Sequence, residues 1–173
     1  AYNRTVPGPV LRGRKGEPVE VTVLNQLEQP TTIHWHGIRI DNKMDGVAGL
    51  TQEAIPAQGD FTYIFTPPDA GTYWYHSHYI SQEQVARGMM GPLIVEDDQP
   101  PDVDHDITAV IDDWRVERNG QLNDDFGNRH DMSHGGRMGN FARAILSKTQ
   151  VQAGDRIRLR MINAATARVF PIK

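Results

Sequence analysis

The chain has 173 residues, a formal net charge of −4 and an apolar share of 38%, which suits one domain, or one domain and part of a second. It contains no basic block that would indicate nucleic-acid binding, and no run of about 18 apolar residues that would span a membrane. Cysteine is absent, which excludes disulfides, thiolate metal ligands and a cysteine nucleophile from these residues.

Short β-strands are predicted through the first hundred residues. Residues 18–24 carry valine at every second position, and residues 61–66 alternate in the same way. Residues 72–76 are aromatic and β-prone, and residues 91–96 predict a further strand. A short helical turn is expected near residues 81–86. The turn residues between the strands favour an antiparallel sandwich or barrel.

A polar, proline-containing linker is predicted at residues 98–103. After it, strands are expected at residues 105–111 and 156–161, with a long surface loop at residues 119–140 that is rich in Gly, Asn and Asp. The second segment is too short for a complete sandwich, so we expect part of it to be missing.

Two His-x-His pairs, His34-Trp35-His36 and His76-Ser77-His78, stand at the ends of predicted strands. Residues i and i+2 of a strand share a face and lie roughly 6.6 Å apart, a separation that suits two imidazoles reaching neighbouring metal ions. Neutral imidazole is a good ligand for copper and for zinc. The alternative is that each pair makes ordinary hydrogen bonds on a strand face.

The residues around these pairs resemble the first domain of the multicopper oxidases, in the family's order. The matching segments are residues 3–9 (Asn-Arg-Thr-Val-Pro-Gly-Pro), 32–37 (Thr-Ile-His-Trp-His-Gly), 44–47 (Met-Asp-Gly-Val) with Thr51-Gln52, 71–78 (Gly-Thr-Tyr-Trp-Tyr-His-Ser-His) and 88–95 (Gly-Met-Met-Gly-Pro-Leu-Ile-Val). Residues 158–164 and 167–170 are similar to the second domain of the three-domain, laccase-like members.

The resemblance implies an all-β chain. Residues 1–97 would form a cupredoxin-like Greek-key β-sandwich whose N-terminal strand is missing. Residues 104–173 would form part of a second cupredoxin-like domain.

The resemblance also implies a trinuclear copper cluster. His34 would bind the type 2 copper, and His36, His76 and His78 would bind the type 3 pair. Asp45 falls where the family has an acidic residue that assists proton delivery to the cluster. Its structural alternative is an ordinary Asp-Gly turn.

Complete members of the family carry a C-terminal domain with further His-x-His motifs and a His-Cys-His segment, whose cysteine binds the type 1 copper. Four of the eight cluster ligands are therefore absent from this chain, as is the type 1 site. We expect a partial chain that is inactive alone and needs the rest of the same polypeptide, or another subunit, to complete the cluster.

For the complete protein, the resemblance implies one-electron oxidation of a small reducing substrate coupled to the reduction of dioxygen to water. Phenols, aromatic amines and low-valent metal ions are candidate donors, and the location would be periplasmic or secreted. Two other classes stay open: a cupredoxin-like module that holds metal without turnover, and a copperless structural relative. The intact histidine pairs argue against the copperless relative.

Four other residues near the pairs are assigned to packing. Trp35 and Trp74 are expected to be core aromatics and not electron relays. Met89 and Met90 are expected to pack in the core and not to bind copper.

The remaining histidines lie in the second segment. His130, Met132 and His134, with Met138, offer imidazole and thioether ligands for a weak copper site, although the composition favours a solvated loop. His105, beside acidic residues, is expected at the surface.

Overall fold

A computed structural model describes residues 1–126 and 138–172 of the protein. Nine strands and one short helix are described in these residues: β1 Leu11–Arg14, β2 Val19–Leu24, β3 Ile33–His36, β4 Asp60–Phe65, β5 Gly71–Ser77, α1 Ser81–Gln84, β6 Met90–Glu96, β7 His105–Trp114, β8 Phe141–Leu146 and β9 Ile157–Asn163. Short 3₁₀ turns lie at Tyr2–Arg4 and Asn42–Met44. Among the described residues, every helix is too short to cross a bilayer.

Two sheets enclose the first hydrophobic core. One has four strands in the order β1-β6-β5-β3, and the other pairs β2 with β4. Trp35, Tyr75 and Leu93 from the larger sheet pack with Tyr63 and Phe65 from the smaller one. Trp35, Tyr63 and Leu93 are completely buried. The alternation of apolar residues therefore gives this part of the chain a sandwich-like core.

The pairing of β3 with β5 determines which face the histidines occupy. In this antiparallel register Trp35 lies opposite Tyr75, and both side chains enter the core. Successive strand residues point to opposite faces. His34 therefore lies opposite His76 on the outer face of the sheet, and His36 lies opposite Trp74.

A third sheet, in the order β8-β7-β9, packs against this same outer face. A second core forms there from five buried residues, with Trp74 and Trp114 packed beside them: Val85, Met90, Val110, Ile162 and Ala164. The opposite face of the third sheet exposes 42–50% of Ile157, Leu159 and Met161.

Arg160 of β9 makes a largely buried polar connection between the sheets. Its guanidinium donates two hydrogen bonds to Asp106 at 2.6 and 2.7 Å and a third to the Thr72 hydroxyl of β5 at 2.9 Å. Glu96, at the end of β6, lies 3.7 Å away and also pairs with Arg12 of β1. The Arg160 side chain is 2% exposed, so this cation depends on these partners.

The structure differs from the sequence prediction in two respects. Strands β1 and β6 run parallel, whereas an antiparallel sandwich or barrel was expected for the first hundred residues. Strands β7 and β9, for which no direction was predicted, are also parallel. Strands β1 and β8 were not predicted. Strand β1 is four residues long and contains two arginines and a glycine, and β8 contains two alanines, so neither shows a clear apolar alternation.

Candidate metal centre

Three of the four predicted histidine ligands converge on one point. Each of His34, His36 and His76 offers a ring nitrogen that lies within 4.8 Å of those of the other two. The ring of His78, just beyond the end of β5, lies with its centroid 5.3 Å from that of His34 and 6.4 Å from that of His76. The antiparallel register of β3 and β5 is what brings the two sequence pairs together.

The ring of His34 is held by the loop that follows β3. Its Nδ1 donates a hydrogen bond to the backbone carbonyl of Asp45 at 2.9 Å, and an Asp45 carboxylate oxygen lies 3.3 Å away. In the neutral ring this contact places the proton on Nδ1, so that Nε2 carries the lone pair that a metal ligand requires.

Gly46 lets that loop approach β3 closely. Its φ is +77°, and a Cβ atom there would lie 1.7 Å from the backbone oxygen of Ile33. Asp45 ends the 3₁₀ turn Asn42–Met44, and the close approach at Gly46 places it beside His34. A position at the end of a turn and a position beside His34 are therefore compatible for Asp45.

His36 and His76 face each other through ring nitrogens that are 3.2 Å apart, Nδ1 of His36 and Nε2 of His76. Nδ1 of His76 donates to the backbone carbonyl of Ser77 at 2.8 Å, so Nε2 carries the lone pair. When the two rings are hydrogen-bonded to each other, the proton between them consequently belongs to Nδ1 of His36.

The environment of His36 and His76 favours the neutral form of both rings. Burial lowers the pKa of His76 to about 4; its hydrogen bond to the Ser77 carbonyl acts in the opposite direction, and the three neighbouring histidines lower the pKa further. Burial, followed by the charge of His34, also lowers the pKa of His36. A metal ion therefore competes with few protons at these rings near pH 7.

Trp35 and Trp74 both pack in hydrophobic cores, but only Trp74 also contacts the histidines. Trp35 is a core aromatic, as predicted, with 0% exposure. Trp74 is only half-buried, and its ring lies 4.8 Å from that of His36 and 4.4 Å from that of His76, tilted by 32° in both cases. Trp74 packs against the second core, in agreement with the prediction of a core aromatic, but it does so on the histidine side of the sheet, which the sequence did not predict.

Met89 and Met90 are buried at 5% and 0% exposure, in agreement with a packing role. His105, expected at the surface beside acidic residues, is partly exposed. Its Nε2 donates to Asp155 at 2.9 Å, and its Nδ1 accepts from Lys148 at 3.0 Å. His130, Met132 and His134, the weak-site candidates, lie outside the described residues.

Sequence reasoning missed Gln84, whose side chain is buried and hydrogen-bonds to residues next to the histidines. Its Oε1 accepts hydrogen bonds from Ser77, between His76 and His78, and from Thr31, two residues before β3. The only sequence signal was a glutamine in a predicted helical turn six residues after the second histidine pair.

Comparison with known proteins identifies the family. The sequence model of the multicopper oxidases matches residues 1–100. Multicopper oxidase MmcO of Mycobacterium tuberculosis is 42% identical over 114 residues, which are 65% of this chain and 22% of that protein. Copper resistance protein A of Pseudomonas syringae pv. tomato is 44% identical over 119 residues, or 68% of this chain and 19% of that protein. The chain thus matches about a fifth of the length of these curated relatives.

A solved structure extends the similarity to nearly the whole chain. The crystal structure of Lac15 from a marine microbial metagenome aligns with a TM-score of 0.83 and 53% identity, covering 96% of this chain and 41% of that one. The all-β, cupredoxin-like fold that the sequence predicted is confirmed. The chain belongs to the multicopper oxidase family.

Proposed function

We propose that this chain supplies half of the ligands of a trinuclear copper cluster in a laccase-like oxidase. The complete protein would oxidise a small reducing substrate one electron at a time and reduce dioxygen to water. The observation that carries the proposal is the convergence of His34, His36 and His76 from two antiparallel strands.

The geometry of His36 and His76 fits one shared ion. Two nitrogens that each lie about 2.0 Å from a metal, at angles between square and tetrahedral, are roughly 3 Å apart. The 3.2 Å between Nδ1 of His36 and Nε2 of His76 matches that spacing. An all-imidazole donor set suits copper.

The family resemblance implies His34 for the type 2 copper and the other three histidines for the type 3 pair, and the 3.2 Å spacing of His36 and His76 divides that pair. His36 and His76 would hold one type 3 copper, and His78 would contribute to the other type 3 copper. His34 would hold the type 2 copper. When bound, the copper ions supply the electrons that reduce dioxygen. Four further ligands and the type 1 copper would come from the rest of the same polypeptide or from another subunit.

The protein's own contribution is to orient the rings and to supply protons. Backbone carbonyls of Asp45 and Ser77 hold the Nδ1 protons of His34 and His76, which fixes each ring and raises the basicity of its Nε2. The Asp45 carboxylate is half-buried beside His34, where it can hold a proton and pass it to the cluster.

The domain organisation is part of the proposal. Residues 1–97 would be the first cupredoxin-like domain, residues 98–103 a linker, and residues 104–173 the first sheet of a second such domain. The exposed apolar row of β9 supports this division, because an apolar sheet face needs a second layer to cover it. Phenols, aromatic amines and metal ions are the proposed donors, and the proposed location is periplasmic or secreted.

Oxygen uptake by the copper-loaded full-length protein tests the enzymatic proposal. With a phenolic donor, one dioxygen should be consumed for every four donor molecules oxidised, and His36→Ala should abolish uptake. A module that only holds metal would bind copper and consume no oxygen above the rate of free Cu(II), and that result would refute the oxidase assignment.

Asp45→Asn is expected to slow oxygen reduction by about 100-fold, the lower end of what a positioned proton donor contributes, while the copper content stays at the parental value. Asparagine retains the turn and the backbone carbonyl that holds His34, but it does not ionise. Stopped-flow reoxidation of the reduced protein, together with copper analysis, measures both quantities. Asp41→Asn, in the same loop and exposed, is the matched control. Reoxidation of Asp45→Asn at the parental rate across acidic pH would leave Asp45 as a turn residue only.

A further inference from the structure

Gln84, the last residue of α1, is a large polar side chain in a fully buried position. It is 1% exposed and belongs with the largest completely buried side chains of the described residues. A buried amide is costly unless its oxygen and nitrogen find partners. The partners of Gln84 therefore indicate why the chain retains it.

The amide of Gln84 connects the two histidine-bearing segments. Its Oε1 accepts from the Thr31 hydroxyl at 2.8 Å and from the Ser77 hydroxyl, and its Nε2 donates to the Pro30 carbonyl at 2.9 Å. Pro30 and Thr31 lead directly into β3, which carries His34 and His36. Ser77 separates His76 from His78.

The backbone of Gln84 is also connected to Ser77, through Met89. Its carbonyl accepts from Met89 N–H at 3.0 Å, and the Met89 carbonyl accepts from Ser77 N–H at 3.1 Å. Between Ser77 and Gln84, Ile80 adopts a left-handed conformation with φ of +45°, which is strained for a β-branched residue. Such strain persists only where the surrounding contacts enforce it. Gln84 contributes on both sides of Ile80: its N–H donates to the Ile80 carbonyl at 3.0 Å, and its side chain holds Ser77.

We infer that Gln84 is a positioning residue for the metal centre, an inference that rests on the copper function proposed above. It acts through Ser77. The Gln84 Oε1 accepts a hydrogen bond from the Ser77 hydroxyl, and the Ser77 carbonyl accepts one from Nδ1 of His76. A displacement of Ser77 would turn the His76 ring away from His36. Through Thr31, the same amide fixes the start of β3 relative to the end of β5.

An apolar replacement should shift the site without unfolding the chain. Gln84→Met keeps nearly the same volume but leaves two hydroxyls and the Pro30 carbonyl without their partner. Thr31 and Ser77 already lie 3.3 Å apart through their hydroxyl oxygens, so they can turn to each other. That rearrangement would draw Ser77 away from the position in which it holds His76.

The test uses the full-length protein and the same substitution at two positions of α1. Gln84→Met should weaken Cu(II) binding, measured by competition with a chelator, by at least about tenfold, as loss of outer-shell partners does. The control Gln82→Met changes a half-buried side chain and should stay within about twofold of the parent. Circular dichroism establishes that both variants are folded. Parental copper affinity in folded Gln84→Met would overturn the inference.

A second measurement needs no copper. In the copper-free protein, hydrogen exchange of the His76 ring N–H, followed by ¹H–¹⁵N NMR, should be faster in Gln84→Met than in the parent and in Gln82→Met. If the parent does not bind copper, the proposed function fails, and this exchange rate still decides whether Gln84 holds His76. An unchanged rate would overturn the positioning role.

If Gln84→Met does not fold, two smaller changes decide instead. Ser77→Ala and Thr31→Val each remove one hydroxyl donor to Gln84 with little change in volume. Ser77→Ala should speed exchange of the His76 ring N–H and weaken copper binding several-fold, and Thr31→Val should do so less. Parental behaviour of both variants would overturn the inference.

Discussion

Gly46→Ala is expected to lower the free energy of unfolding by about 3 kcal/mol or more, which places it among the most damaging single substitutions. A Cβ atom at Gly46 would lie 1.7 Å from the oxygen and 2.4 Å from the carbonyl carbon of Ile33, and both atoms belong to the backbone of β3. Neither can move without disturbing His34, the next residue along the strand. The alanine must also adopt a φ of +77°.

The loss of copper binding should accompany the loss of stability. Relief of the clash must move the loop away from β3, and the Asp45 carbonyl that holds His34 moves with it. Gly49→Ala is the matched control, since Gly49 has a φ of +76° but its added Cβ would have no described atom within 4 Å. It should cost only about 1 kcal/mol, for the backbone conformation alone. Denaturant titration of both variants measures the difference, and equal costs would show that close approach of the loop does not matter.

Arg160→Met is expected to cost about 3 kcal/mol, the lower end of the range for breaking a buried ion pair by removing one partner. The substitution leaves Asp106, whose side chain is 24% exposed, without its bidentate donor and removes the hydrogen bond to Thr72. Because Thr72 lies on β5 and Arg160 on β9, the third sheet should also pack less firmly against the first. Denaturant unfolding measures the cost, and proteolysis between residues 97 and 104 reports on the packing.

Two further variants separate charge from packing. Arg14→Met removes an exposed arginine from β1 and should change stability by no more than about 0.5 kcal/mol. Arg160→Met combined with Asp106→Leu replaces both charges by apolar groups and should recover part of the loss, since an uncompensated buried charge is the main penalty. If Asp106→Leu lowers the stability of Arg160→Met as much as it lowers that of the parent, the two residues do not interact energetically, and the ion pair does not stabilise the pairing of β7 with β9.

The sequence predicted the strands whose packing is local and repetitive. Valine at every second position of residues 18–24 indicated β2, and the same alternation indicated β4 and β9, because one face of each strand is apolar. Parallel pairing of β1 with β6 joins residues more than eighty positions apart. The residue pattern of one strand contains no information about which distant strand it pairs with or in which direction. For that reason the expectation of antiparallel pairing was wrong for β1 and β6.

The same limit applies to the candidate site. His-x-His spacing predicts that His34 and His36 share a face, and the structure places them on one face. Which ring nitrogen of His36 faces His76 depends on the loop and strand geometry around it and has no sequence signature. Trp74 and Gln84 were missed as neighbours of the site for a related reason. Their roles follow from which face of β5 and α1 lies against the histidines, and this requires the packed structure.

Anomalous diffraction at the copper edge, from crystals of the copper-loaded full-length protein, tests the central claim most directly. We predict a copper ion about 2 Å from both Nδ1 of His36 and Nε2 of His76, with a second ion at His78 and a third at Nε2 of His34. Copper that binds elsewhere, or a site in which His36 and His76 remain hydrogen-bonded to each other with no ion between them, would contradict it.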